Sequence, residues 1–174
     1  MLKIIRNNKA NFYLILIGSI ALMIGVLVYY IDRPPDQTYF VNKYSEDLSI
    51  HDRIPILFGI VGHSLPDFIH VFSFILITAG ISSCGKKGYL FICLSWLLID
   101  SAFEMGQKYL KQPMKNLPDW FEGIPIFEAV KPYFIRGTFD YIDLISIVLG
   151  TVAAYMVLIK ITEIRDNEYS PETA

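Results

Sequence analysis

Residues 12–31 read FYLILIGSIALMIGVLVYYI and contain no charged side chain. A helix needs about 20 mostly apolar residues to cross the hydrocarbon core of a bilayer, so this stretch predicts a transmembrane span. Lys3, Arg6 and Lys9 precede it, as in a signal sequence, but no small-residue cleavage site follows, and we expect a retained anchor. Small residues suited to close helix packing lie within it: Gly18, Ser19, Ala21 and Gly25.

Three more apolar blocks follow, at 65–81, 88–107 and 139–161. In hydrocarbon every backbone polar group needs a partner inside its own segment, so each block predicts an α-helix. The expected fold is all-α, an integral membrane four-helix bundle with an interfacial outer loop. We expect one membrane domain over residues 1–174, with a polar tail at 165–174.

The composition favours a membrane protein and excludes several function classes. Of the 174 residues, 53% are hydrophobic and 18% are charged, whereas soluble domains carry about 25% charged residues. The net charge of −2 leaves no basic surplus for nucleic-acid phosphates, so no nucleic-acid partner is expected. Cys84 and Cys93 form neither a CxxC site nor a disulfide framework, and no cofactor is expected.

The distribution of basic residues predicts the orientation. They occur in the amino-terminal segment, at Lys86 and Lys87 in the second connection, and at Lys160 and Arg165 near the carboxyl end. With four spans, these three regions share one side of the membrane. The positive-inside rule then places both termini in the cytoplasm.

The second outer loop, 108–137, is rich in proline and aromatic residues. Proline breaks long helices, and aromatic rings favour the water–lipid boundary. We therefore expect short interfacial helices or turns that cover the outer end of the bundle. The residues concerned are Pro113, Pro118, Pro125, Pro132, Trp120, Phe121, Phe127, Tyr133 and Phe134.

Ionisable and amide side chains are costly within a span and usually face the bundle interior or a cavity. Helical spacing places each of three such groups on one helix face, and the threading of four spans brings all three groups to the outer end. We predict one acidic, histidine-containing pocket open to the extracytoplasmic side. Its residues are His63, Asp67 and His70; Asp100, Glu104 and Gln107; and Asp140 and Asp143.

Arg136 lies at the mouth of this predicted pocket. It is suited to meet an anionic head group, or to anchor the span at the interface.

Helix capping explains several of these residues without a pocket. Ser64 fits an N-cap with Asp67 as its capping-box acid, and His63 would then precede the helix. Asp140 fits an N-cap, and Asp143 fits a first-turn acid that favours the helix dipole.

Asp100 and Glu104 are harder to explain as caps, because acids near the carboxyl end of a helix oppose its dipole. They are close enough to repel each other, so one is expected to hold a proton or to share it with a histidine. His70 is the expected partner of Glu104, and His70, Asp100 and Glu104 are the candidates for catalysis. The sequence contains no recognised metal-ligand motif and no nucleophile elbow, so no metal is expected.

Three motifs occur in order: LPDFIHVFSF at 65–74, FEMGQ at 103–107, and GTFDYID at 137–143 followed by Gly150. Together they resemble the VanZ-like family of small bacterial membrane proteins, which is named for its association with teicoplanin resistance. The resemblance implies a helical bundle in the bacterial inner membrane, linked to the cell envelope and carrying a polar cluster. It marks these positions: His70, Glu104, Gln107, Asp140 and Asp143.

The sequence leaves three functions open. The first is a non-enzymatic envelope protein that binds a lipid, a lipid-linked glycan or a glycopeptide-type ligand at the outer pocket. The second is a membrane-embedded acid–base enzyme that acts on a lipid substrate. The third is a structural or accessory subunit of a membrane complex. The corresponding partners are membrane lipids, a lipid-linked envelope ligand, and another membrane protein.

Overall fold

The computed structural model describes residues 2–32, 55, 57–59, 61–116, 131, 133–135 and 137–167, apart from the side chains of 2–9 and 166. All regular structure in these ranges is α-helical, which confirms the predicted fold class. The helices are α1 (Leu2–Ile31), α2 (Val61–Ser82), α3 (Lys86–Tyr109), α4 (Lys111–Lys115) and α5 (Tyr141–Asn167).

Four of these helices are long and apolar enough to cross a membrane, so the chain is a multi-pass membrane protein. The apolar stretches are Ala10–Ile31, Val61–Ser82, Lys86–Tyr109 and Tyr141–Arg165.

The second span begins earlier than predicted, and this changes one capping assignment. Helix α2 starts at Val61, so Ser64 lies inside the helix and its predicted role as N-cap is wrong. His63 is already helical and therefore shares α2 with Asp67 and His70. The fourth span starts at Tyr141, two residues later than predicted, and α5 extends into the predicted polar tail as far as Asn167.

Helix α2 is the centre of the bundle, because it packs against α1, α3 and α5, while α3 also packs against α5. The link between α2 and α3 is the short turn 83–85, so these two helices are antiparallel neighbours. Ser83 has a φ of 51°, and its Oγ accepts a hydrogen bond from Asn11 Nδ2 of α1 at 2.6 Å. The buried core joins all four spans: Leu14, Val71, Ile75, Leu76, Ala79, Tyr89, Ile92, Cys93, Ile147, Ala154 and Leu158.

Glycines allow α1 and α2 to approach closely, which confirms the packing role predicted for Gly18 and Gly25. A Cβ on Gly18 would lie 2.8 Å from Ile77 Cγ1, and one on Gly25 would lie 2.9 Å from Ile69 Cγ2. On the opposite helix, a Cβ on Gly80 would lie 2.8 Å from the carbonyl oxygen of Asn11. The two backbones meet where these glycines carry no side chain.

Candidate functional site

The three polar groups predicted from the sequence lie in the same half of the bundle, although His70 and Asp100 are close to the middle of α2 and α3. Contacts between helices show where these groups lie. Asp100 of α3 contacts His70 of α2, and Glu104 of α3 contacts the backbone of Asp140, just before α5. Asp32, after α1, accepts hydrogen bonds from the backbone N–H groups of residues 57 and 58 at 2.9 and 2.7 Å. The predicted threading of the helices is therefore confirmed.

Glu104 is buried, with 4% of its surface exposed, and both of its carboxylate oxygens accept hydrogen bonds. Oε1 accepts from the backbone N–H of Asp140 at 3.0 Å, and Oε2 accepts from Gln107 Nε2 at 3.4 Å. Gln107 is also buried and donates to Tyr133 Oη at 2.7 Å. We call Glu104, Gln107, Tyr133 and the Asp140 N–H the Glu104 network. It ties α3 to the segment that leads into α5.

Tyr133 brings the outer loop onto the bundle. Burial is the main cause that raises the pKa of Tyr133 to about 12, although the Gln107 hydrogen bond opposes the shift. The hydroxyl therefore keeps its proton at neutral pH and can donate as well as accept. Asp67 of α2 and Tyr29 of α1 also lie within electrostatic range of Tyr133, so this loop residue is close to three of the spans.

Two glycines make room for this loop segment. A Cβ on Gly106 would lie 3.0 Å from Cζ of the Phe134 ring, and one on Gly137 would lie 2.7 Å from the Tyr133 carbonyl oxygen and clash with the Gln107 amide. The rings of Phe103 and Phe134 stack with their centroids 5.9 Å apart. The described part of the loop thus covers this end of α3, as predicted, and Pro113 lies in the short helix α4.

The acids at the start of α5 cap the helix. Asp140 Oδ1 accepts from the Ile142 N–H at 2.9 Å, which confirms the capping interpretation of Asp140. Its backbone N–H, and not its carboxylate, binds Glu104. Asp143 lies in the first turn of α5, and both acids are close enough to Glu104 to repel its charge.

His70 and Asp100 form a second, more exposed arrangement. His70 Nδ1 lies 3.2 Å from Asp100 Oδ2, and 49% of the histidine side chain is exposed against 10% of the aspartate. The imidazole packs against Phe74, with ring centroids 4.4 Å apart, and Phe74 lies 4.9 Å from the ring of Trp96. Trp96 Nε1 donates to Thr78 Oγ1 at 3.0 Å, which fixes the indole between α2 and α3.

The predicted pairing of His70 with Glu104 is wrong, because His70 reaches Asp100, one helical turn away on the same face of α3. The single predicted pocket therefore divides into two parts, the buried Glu104 network and the His70–Asp100 pair, in which the histidine is half exposed. His63 is exposed near the start of α2 and makes an interaction of its own, as do Asp67 and Asp143.

Several predicted residues lie outside the described part of the chain. They are Arg136, Pro118, Pro125, Pro132, Trp120, Phe121 and Phe127.

Tyr133, Gly106 and Gly137 contribute to the packing around the Glu104 network, but the sequence analysis did not select them for the site. Tyr133 belongs to a series of aromatic residues typical of a membrane interface, and its hydroxyl carries no separate signal. The sequence signal that comes nearest to indicating this site is Gly106 beside Gln107, because a glycine lets another segment, here the Phe134 ring, approach the helix closely.

No protein-family model, characterised protein or solved structure matches this chain. The site is therefore interpreted from its own geometry. Among the described residues, no group of three or more histidine, cysteine, aspartate or glutamate side chains is arranged to hold a metal ion.

The two parts of the site have different chemical capacities. In the Glu104 network the carboxylate is buried and is already a hydrogen-bond acceptor on both oxygens, so it positions backbone and side chains. In the His70–Asp100 pair the carboxylate orients the imidazole through Nδ1. Nε2 is then the ring nitrogen that can exchange a proton or bind a ligand.

Proposed function

We propose that this protein binds a lipid or a lipid-linked envelope ligand in the bacterial inner membrane, with both of its termini in the cytoplasm. The binding residues are His70 and Asp100, and the Glu104 network holds the helix ends around them. A distant relationship to VanZ-like proteins forms part of this proposal and rests on the three sequence motifs. Labelling of Cys84 by an impermeant maleimide only after permeabilisation of the membrane would support this orientation.

The observation that carries the proposal is the half-exposed His70 inside one membrane span, paired with the nearly buried Asp100 of a second span. Such residues are costly in hydrocarbon and usually face the bundle interior, whereas half of the His70 side chain is exposed. Phe74 and Trp96 lie beside it and offer an apolar surface. A polar head group with an attached acyl or prenyl chain matches this combination of charged and aromatic side chains.

The fluorescence of Trp96 provides the test, since its ring centroid lies 6.4 Å from that of His70. Trp120→Phe makes Trp96 the single tryptophan, because the chain contains two. Titration with a polyprenyl-diphosphate-linked disaccharide pentapeptide should give a saturable change in its emission. Asp100→Asn should weaken binding roughly tenfold, as expected for the loss of a charged hydrogen-bond partner.

The matched control for this substitution is Glu163→Gln. Glu163 is an exposed acid near the far end of α5 and lies 4.0 Å from Lys160. If Asp100→Asn bound the probe as tightly as Glu163→Gln does, the proposed site would be wrong.

An acid–base enzyme is the second candidate function, and one observation favours it. A carboxylate bound to Nδ1 orients the imidazole so that Nε2 can take up or release a proton. Turnover of the same probe, followed by mass spectrometry, should disappear in His70→Ala. Turnover that persisted in the combined His70→Ala, Asp100→Asn variant would eliminate this candidate.

A further inference from the structure

We propose that Lys108 and Lys111 bind the phosphate of an anionic membrane phospholipid at the end of α3. Lys108 Nζ donates to Tyr141 Oη at 3.0 Å. It lies 4.7 Å from the ring centroid of Phe139, 5.0 Å from that of Tyr141 and 5.5 Å from that of Tyr109. Three aromatic rings and one hydroxyl therefore hold this exposed ammonium in place.

Lys111 supplies a second ammonium on the same side. Its Nζ donates to the carbonyl oxygen of Gly137 at 3.4 Å, so both lysines are directed to the segment just before and at the start of α5. An ammonium group has three N–H donors, and these contacts use one on each lysine. The remaining donors are available to a ligand with several acceptor oxygens.

The described residues do not neutralise these two charges. Neither Lys108 nor Lys111 forms an ion pair with a carboxylate of the described residues. Asp140 precedes Tyr141 in the chain, and its Oδ1 caps α5 by accepting from the Ile142 N–H, without forming an ion pair with either lysine. A phosphate group would complete the coordination of both lysines by charge-assisted hydrogen bonds.

The two lysines lie at the end of a membrane span, so we expect the phosphate to come from a lipid. Lys108 is the last residue but one of α3, whose whole length is a membrane span. The ends of spans lie at the level of the head groups, where aromatic rings also collect. Phosphatidylglycerol presents a phosphate there without a cation of its own, whereas phosphatidylcholine brings its own ammonium. This site uses neither His70 nor Asp100, so it stands or fails separately from the proposed function.

Native mass spectrometry of the full chain in detergent, titrated with phosphatidylglycerol, tests the proposal. The combined Lys108→Gln, Lys111→Gln variant should bind this lipid roughly thirtyfold more weakly, at about a factor of five for each charge near a membrane surface. Phosphatidylcholine binding should not change. The control is Lys86→Gln, Lys87→Gln, which removes two exposed lysines at the opposite end of α3.

Tyr141→Phe distinguishes lipid binding at an ordered site from general attraction of the lipid by surface charge. It keeps both lysines and the aromatic ring but removes the oxygen that orients Lys108, so phosphatidylglycerol binding should fall roughly threefold to tenfold. Because this variant changes no charge, it also serves if the lysine variant fails to fold. Unchanged binding by Tyr141→Phe would overturn the proposal. Equal loss in the Lys86 and Lys87 control, or displacement of the lipid by millimolar inorganic phosphate, would also overturn it.

Discussion

Asp100 and Glu104 lie one turn apart on the same face of α3, yet their surroundings differ. Glu104 is buried and accepts hydrogen bonds from Gln107 and from the backbone before α5. Asp100 meets the half-exposed ring of His70 on α2. The covering segment, residues 133–135 and 137–140, makes this difference, because it closes over Glu104. Two acids one turn apart on one helix thus differ in their partners, since Glu104 is tied to the backbone before α5 and Asp100 is paired with the half-exposed His70.

Removing the two carboxylates in turn is the strongest test of this comparison. Glu104→Ala leaves the Asp140 N–H without its acceptor and removes one of the two acceptors of the Gln107 amide, so the free energy of unfolding should fall by about 3 kcal/mol. Asp100→Ala, the matched control, removes a partly exposed pair and should cost less than about 1 kcal/mol. Detergent-induced unfolding in mixed micelles, followed by circular dichroism, measures both. Equal losses would contradict the division.

Filling the space under the covering segment should have the next largest effect. Gly137→Ala places a methyl group 2.7 Å from the Tyr133 carbonyl oxygen and against the Gln107 amide. The segment must then move, which should cost about 2 kcal/mol. Gly85→Ala is the control, since no atom lies within 4 Å of its added Cβ, and alanine at this N-cap should cost only about 0.5 kcal/mol. A neutral Gly137→Ala would mean that the segment is not held against α3.

Tyr133→Phe tests the Glu104 network through the pH dependence of the free energy of unfolding. The substitution removes the Tyr133 hydroxyl, one of the two acceptors of the Gln107 amide, and should lower the free energy of unfolding by about 1 kcal/mol at neutral pH. The pKa of Tyr133 is raised from 10.0 to about 12 in the folded chain, so the folded state binds this proton more tightly than the unfolded chain does. Its contribution is complete below pH 10 and is lost as the pH rises towards about 12.

Unfolding midpoints of the two proteins, measured from pH 8 to 12, check this expectation. The midpoint of Tyr133→Phe should fall less steeply between pH 10 and 12 than that of the native chain. Parallel curves would show that the Tyr133 hydroxyl is not part of the buried network.

Most of the fold could be predicted from the sequence, because a span requires a long apolar run and four such runs are present. The half of the bundle in which the polar groups lie could also be predicted, because four consecutive spans must alternate in direction. The start of α2 could not be predicted in this way, since Val61, Gly62 and His63 continue the helix without a continuous apolar signal. The cap at Asp140 was recognisable because an N-cap depends on local chemistry.

The pairing within the site was less predictable for a geometric reason. Asp100 and Glu104 share a helix face, so the choice between them as partner of His70 depends on how far α2 is shifted along α3. That shift is set by packing, as in the contact between Trp96 and Thr78, which has no counterpart in residue spacing. Tyr133 was missed because its position on Gln107 depends on the folding of a long loop back onto the bundle.

The glycine contacts between α1 and α2 have a mechanical consequence. Ile69 and Ile77 fit where Gly25 and Gly18 carry no side chain, and Ile15 fits at Gly80. A slide of α1 by one turn would bring larger residues against these isoleucines, so the contact between the two helices resists sliding. Gly150 extends this close packing to α5, since a Cβ there would lie 2.6 Å from the Phe68 carbonyl oxygen of α2.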